Sequence, residues 1–180
     1  MKASLHAARG RAVAAGLLAL ALAGCGLFDR SANVTCPRVS IVPDAAEMTV
    51  FRDPTGRDLT DVVTYARLAD ATADCSYDRR GVTIALEVAI AAERGPANRA
   101  GSSEVDYFVA LLDKNGAVRA RESYRLRFEF VDNRQRIGRI EQLDPFIPLV
   151  QRVDGPNWSV WVGLQQTEEQ HTWNRRTKGP

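Results

Sequence analysis

The chain has 180 residues, 24 Lys and Arg against 22 Asp and Glu, a formal charge of +2 and 45% apolar residues. The near balance of charge points away from a basic tail or a nucleic-acid partner, and the length suits one domain with a sizeable core. Only three lysines occur among the basic residues, a bias that carries no binding chemistry.

The first 24 residues read as an export leader. Lys2, Arg9 and Arg11 precede an uncharged apolar stretch from Ala12 to Ala23, and small residues stand just before Cys25. Positive charge holds such a leader on the cytoplasmic side. About a dozen apolar residues can enter a translocation site but fall short of the roughly 20 that a spanning helix needs. Leu22-Ala23-Gly24-Cys25 resembles the lipobox of bacterial lipoproteins. The resemblance implies that the Cys25 thiol receives diacylglycerol, that the bond before it is cleaved, and that its amine is then acylated, for example with palmitate. One acyl chain binds a membrane reversibly, whereas two or three anchor stably, since each buried methylene contributes about 0.8 kcal/mol. Gly26 rather than Asp follows the cysteine. In a Gram-negative host the resemblance then implies the periplasmic face of the outer membrane. The alternative is an ordinary secretory signal with an incidental cysteine nearby.

Removing residues 1–24 leaves 156, with 21 basic against 22 acidic side chains. The expected organisation is a lipidated tether over 25–35, a domain over 36–176 and a disordered tail over 177–180. Cys36 and Cys75 remain after lipidation and can pair in an oxidising periplasm. A bridge across 39 positions stabilises by about 4 kcal/mol in the chain-entropy picture. A redox or metal pair is the alternative, although no CxxC occurs and His171 is the one histidine left after cleavage; two free buried thiols are a third.

The mature chain alternates with period two, which predicts strands. Short ones are expected from Arg38 to Val42 and from Met48 to Phe51. A hairpin follows, with Val62 to Tyr77, the turn Asp78-Arg79-Arg80-Gly81, and a strand whose Val82, Ile84, Leu86, Val88 and Ile90 share one face. After the loop from Arg94 to Ser103, a second hairpin runs from Val105 to Asp113, turns at Lys114-Asn115-Gly116, and returns from Ala117 to Val131. Asn-Gly suits that turn because it tolerates positive φ. On the return strand Tyr124, Leu126, Phe128 and Phe130 face one way, Arg125, Arg127 and Glu129 the other. Ile137 to Leu143 and Trp158 to Leu164 complete seven or eight strands.

Hairpins with one apolar face require a second sheet. The expected fold is therefore an all-β antiparallel sandwich of immunoglobulin-like or fibronectin-like architecture, with a small closed barrel as runner-up. No Trp lies between Cys36 and Cys75, so the likeness is one of architecture. Thr167-Glu168-Glu169-Gln170 has capping-box spacing, which predicts a short C-terminal helix from Glu168 to Arg175 with Trp173 docked on the sandwich. The stretch Val160 to Gln170, closing in Asn174-Arg175, together with Cys36 and Tyr107-Phe108-Val109-Ala110, resembles uncharacterised alphaproteobacterial lipoproteins. That resemblance implies no activity, cofactor or functional residue.

No GxSxG, HExxH or phosphate-cradling glycine loop is present, and neither a catalytic residue, a metal site nor a cofactor is expected. Glu104 and Asp106 share a strand face and are compatible with acid–base work or calcium, but a solvated strand end is the plainer reading. Glu168-Glu169 is explained by its place at a helix N-terminus. The candidate binding surface is the row Arg119, Arg121, Arg125 and Arg127, whose guanidinium groups suit phosphates or carboxylates. The plainer reading is cross-strand pairing with acids such as Glu87 or Glu93. Trp158, Trp161 and Trp173 would either line a groove or pack in the core. The expectation is a non-catalytic binding or scaffolding module tethered to the membrane by lipid, holding an envelope protein or an anionic envelope component. The alternative is an envelope enzyme acting on glycan or lipid through carboxylates assembled by the fold; a purely structural lipoprotein is a third reading.

Overall fold

A computed structural model describes residues 35–52 and 58–178. The leader, Cys25 and most of the tether lie outside the described residues. Period-two alternation decides the architecture, and β4 (Gly81–Arg94) carries it most plainly. Val82, Ile84, Leu86, Val88, Ile90 and Ala92 point inward and none is more than 1% exposed. The strand pairs with β3 (Val62–Tyr77) across a turn that Asp78 organises, accepting the backbone N–H of Arg80 and Gly81 at 2.7 and 3.0 Å. Next to β3 lies β2 (Glu47–Phe51), and on the other side of β4 lie β7 (Arg136–Leu143) and β8 (Phe146–Pro148). The facing sheet has the order β1 (Arg38–Ile41), β9 (Ser159–Leu164), β5 (Ser102–Leu112), β6 (Val118–Glu129). Its β1–β9 pair is parallel and the other pairs are antiparallel.

The result is an all-β sandwich with a short C-terminal helix. Val105, Tyr107 and Val109 of β5, Leu126 and Phe128 of β6, and Val160, Val162 and Leu164 of β9 cover the inward row of β4. No ladder joins the two sheets among the described residues, which sets the closed barrel aside. The strand order also departs from the ABED/CFG arrangement of immunoglobulin domains.

Three devices hold the sheets together besides apolar burial. Cys36, two residues before β1, is bonded to Cys75 in β3, with Cα atoms 5.7 Å apart. The crossover from β4 to β5 is pinned by Asn98, whose amide donates to the Ser102 carbonyl and Ser103 hydroxyl at 3.0 and 2.9 Å while its oxygen accepts the Gly101 N–H. Ser103 in turn shares a hydrogen bond with buried Thr64 across the sandwich. These polar groups are satisfied, as burial demands. Third, helix α1 (Glu168–Lys178) lies on β2: Trp173 meets Phe51 edge-on at 5.1 Å, and the Asn174 amide donates to the Glu47 carbonyl at 2.7 Å.

The expected capping box is present in both halves. The Gln170 N–H donates to the Thr167 hydroxyl at 3.2 Å, and the Thr167 N–H donates to Gln170 Oε1 at 2.8 Å. The helix runs through Lys178, so the disordered tail expected over 177–180 gives way to helix at its first two positions. In the β5–β6 turn Gly116 alone takes positive φ, at 77°, and Asp113 accepts the N–H of Asn115 and Ala117. That is a turn closed by an aspartate and a left-handed glycine, rather than one with Asn and Gly both left-handed. The short β8 was not anticipated, because three residues are too few to show a period.

Replacing both Cys36 and Cys75 by Ala, or reducing the native protein, is expected to lower the unfolding free energy by about 4 kcal/mol. Urea titrations of the two samples should coincide; an unchanged midpoint in the variant would show that the reduced chain keeps this loop closed.

Candidate functional site

The face of β5 and β6 turned away from the core carries the charged residues that the sequence singles out. Register sets Arg125 opposite Asp106 and Arg127 opposite Glu104. Arg125 forks onto Asp106 with Nε–Oδ1 and NH2–Oδ2 distances of 2.7 and 2.8 Å. Glu104 lies 3.8 Å from Arg125 and 3.6 Å from Arg127, which also contacts Glu129. Hydrogen bonding to Arg125 holds the Asp106 carboxyl below the usual carboxylate range, and the same fork raises the guanidinium.

Arg119 does not continue the row. A bulge between Leu111 and Leu112 on β5 leaves Arg119 as the extra residue of β6, and its guanidinium turns to Asp113 at 2.8 Å. Arg121 has a different setting again. It donates to Gln165 Oε1 at 2.6 Å and lies over the Phe108 ring at 4.2 Å from the centroid. Phe108 rests on β9 at Gly163, where a Cβ would fall 2.5 Å from the ring. The stripe is therefore mostly an ion-pair ladder. Its acids come from β5, the adjoining turn and β6 itself rather than from Glu87 or Glu93, which sit in the other sheet beside Gln142 and Arg136.

Glu104, Asp106 and Arg125 also line a cleft of about 390 Å³ closed by Met48, Gln165 and Thr167. A carboxyl acting as general acid near neutral pH needs its proton held more tightly than usual. Asp106 is shifted the other way. On the core side, Tyr107 stacks on Tyr124 at 5.2 Å, and its buried hydroxyl has no hydrogen-bond partner among the described residues. Burial, then Glu141 and Tyr124, push this phenol up to about 12, so it stays neutral. Among the described residues no group of three His, Cys, Asp or Glu could hold a metal ion.

The tryptophans do not share a groove. Trp158 packs against the core beside the 152–157 turn, Trp173 meets β2, and Trp161 stands 43% exposed on the outer face, opposite Ala110 and Ser40. Glu168 and Glu169 occupy the first turn of α1, where the helix dipole favours them.

One element here was not singled out in the sequence. Among the described residues β6 has no strand on its far side. The Phe130 N–H donates to the Gly101 carbonyl, and the antiparallel pattern carried back along the register gives β5 the backbone groups of Leu126, Tyr124 and Glu122. Those of Arg121, Ser123, Arg125 and Arg127 then point to the open edge. Their bulky cations also obstruct pairing with a second identical edge. Phe108 and Gln165 were equally overlooked as partners of Arg121, because contacts across three strands leave no local signal.

Comparison of the chain with protein-family models, curated proteins and solved structures returns no match.

Asp106→Asn tests the ladder. A depressed carboxyl contributes stability above its unfolded value near pH 4 that is lost as pH falls through the lower, folded value. Thermal melts from pH 7 to pH 2 should show wild type losing more than Asp106→Asn, with a difference below about 1 kcal/mol at pH 7 because the pair is exposed. Parallel curves would mean the fork adds nothing.

Proposed function

We propose that the chain is a bacterial lipoprotein of the cell envelope, anchored through acylated Cys25 at the periplasmic face of the outer membrane. Its sandwich domain binds or scaffolds another envelope component without catalysis. The observation that carries the anchor is Leu22-Ala23-Gly24-Cys25 directly behind a basic and apolar leader. The Cys36–Cys75 bond supports it, since such bonds persist in an oxidising compartment.

The non-catalytic half of the reading rests on the cleft chemistry. An enzyme working through paired carboxylates needs one of them protonated near neutrality. Here Arg125 forks onto Asp106 and holds its carboxyl in the charged form, and the same guanidinium lies 3.8 Å from Glu104. A surface for a partner is better supplied by the open β6 edge together with Arg121, Phe108 and Trp161. An extended segment can add to such an edge by backbone hydrogen bonds, and Arg121, which lies against an amide and a ring rather than a carboxylate, supplies a cation for an anionic group.

Cys25→Ser should leave an uncleaved precursor that takes up no labelled palmitate. A normally processed, soluble product from this variant would overturn the anchor. Crosslinking in cells should capture an envelope component with wild type and lose it when Arg119, Arg121, Arg125 and Arg127 are changed to Ala; equal capture by both would remove this face from the binding surface.

A further inference from the structure

The chain enters the fold at one end of the sandwich, and the residues gathered there differ from the rest of the domain. Thr35 is held by the Tyr77 hydroxyl, which donates to its carbonyl at 2.8 Å, and the next residue is the bonded Cys36. The β3–β4 turn and the loop after β8 meet at this point. The Leu149 N–H donates to the Arg80 carbonyl at 3.0 Å, and Arg152 Nε donates to the Asp78 carbonyl at 3.3 Å. Gly155 lies so near Tyr77 that a Cβ would fall 2.1 Å from its hydroxyl. The β5–β6 turn is at the same end, since Leu112 pairs with Ser159 and Ser159 with Arg38.

This end is both apolar and basic. Val150, Val153, Val118 and Phe146 are 98%, 68%, 57% and 40% exposed, half of the eight large apolar side chains that stand exposed among the described residues. Arg38, Arg79, Arg80, Lys114, Arg119 and Arg152 stand here against four acids, Asp74, Asp78, Asp113 and Asp154. Across 36–176 the balance is opposite, 19 basic against 21 acidic residues. Two of the acids, Asp78 and Asp113, close their own turns and also pair with cations of this end, Arg80 at 3.4 Å and Arg119 at 2.8 Å, so that Arg38, Arg79, Lys114 and Arg152 remain against Asp74 and Asp154.

The chain between Cys25 and Thr35 sets where this end must lie. Ten residues span at most about 35 Å when fully extended, whereas β3, with 16 residues, is itself about 50 Å long. Lipid on Cys25 therefore holds the Thr35 end within about 35 Å of the bilayer, too near for the domain to stand upright on its far end. We propose that the Thr35 end docks on the bilayer surface, with Val150 and Val153 entering the headgroup layer and Arg79, Arg80 and Arg152 meeting the phosphates of anionic phospholipid. The proposal rests on the Cys25 anchor. Acyl chains combined with a basic and apolar patch hold a protein against a membrane in a defined orientation, where acyl chains alone leave the domain free to turn.

The test uses the mature, lipidated protein in vesicles of phosphatidylcholine with phosphatidylglycerol, or of phosphatidylcholine alone. Flotation reports the anchor, and tryptic cleavage after Arg79, Arg80 and Arg152 reports docking, with cleavage after Arg134 at the far end as the internal reference. The protein should float with both vesicles, and the three near-end cleavages should be at least about fivefold slower with phosphatidylglycerol, the effect of roughly one arginine at an anionic surface. Flotation with equal cleavage in both vesicles overturns docking and leaves the anchor standing. A protein that carries no acyl chain and floats with neither overturns the anchor and the docking with it. The variant Val150→Ser/Val153→Ser, both sites exposed, should keep its unfolding midpoint and its flotation while the near-end cleavages return to their phosphatidylcholine rate. Protection retained in that variant overturns the assigned contact.

Discussion

Six side chains of β4, at every second position from Val82 to Ala92, are withdrawn from water by the strands of the facing sheet. Burial of each larger one contributes roughly 1.5–3 kcal/mol, so sliding β4 by one residue would turn the whole row to solvent and cannot be tolerated. Because β3, β7 and β8 all pair with β4, its register sets theirs. The facing sheet obeys the same constraint through Val105, Tyr107 and Val109. What stands on the outer surfaces follows from these inner rows: Asp106 meets Arg125 because their neighbours Tyr107 and Tyr124 must both face the core.

That dependence explains which parts were legible in the sequence. Both long hairpins, their inward faces and the capping box at Thr167 depend on residues near one another in the chain, and local pattern displays them. The Cys36–Cys75 bond was legible by elimination, with Cys25 assigned to lipid. What escaped depends on placement across the sheets. For Arg125 and Arg127 the sequence offers Glu87 and Glu93 as acids, which have the right charge and lie in the wrong sheet. The parity of the arginine row fails at Arg119 because a bulge adds one residue, and bulges have no period. Trp161, whose chemistry suits a core, is turned outward since Val160 and Val162 already fill the inner positions of β9.

The charged face shows how composition can mislead about binding. Four arginines on one strand suggest a cationic surface, yet Glu104, Asp106, Asp113 and Glu129 bring an equal number of carboxylates to the same hairpin. Long-range attraction of an anion is then weak. Geometry gives these arginines another use, because their backbone groups point to the open side of the sheet. An edge of 12 residues is a template for strand addition, and large, cross-linked cations along it disfavour pairing with a second copy while leaving hydrogen-bonding positions for a segment of complementary charge.

On the proposed anchor at Cys25, the position of the disulfide has a mechanical consequence. β1 is four residues long, parallel to β9, and at the edge of its sheet, which makes it the strand most easily peeled from the end. A pull on the chain from the direction of Cys25 reaches Cys36 before it reaches β1. The bond to Cys75 passes that load into β3, which pairs with β4 from Thr64 to Tyr77 and with β2 from Val62 to Arg67, so the load meets a long ladder that would have to shear rather than a short edge that peels. The covalent link thus stands at the one point where a domain hung from its N-terminus is weakest, and the hydrogen bond from Tyr77 to Thr35 ties the same point to the end of β3.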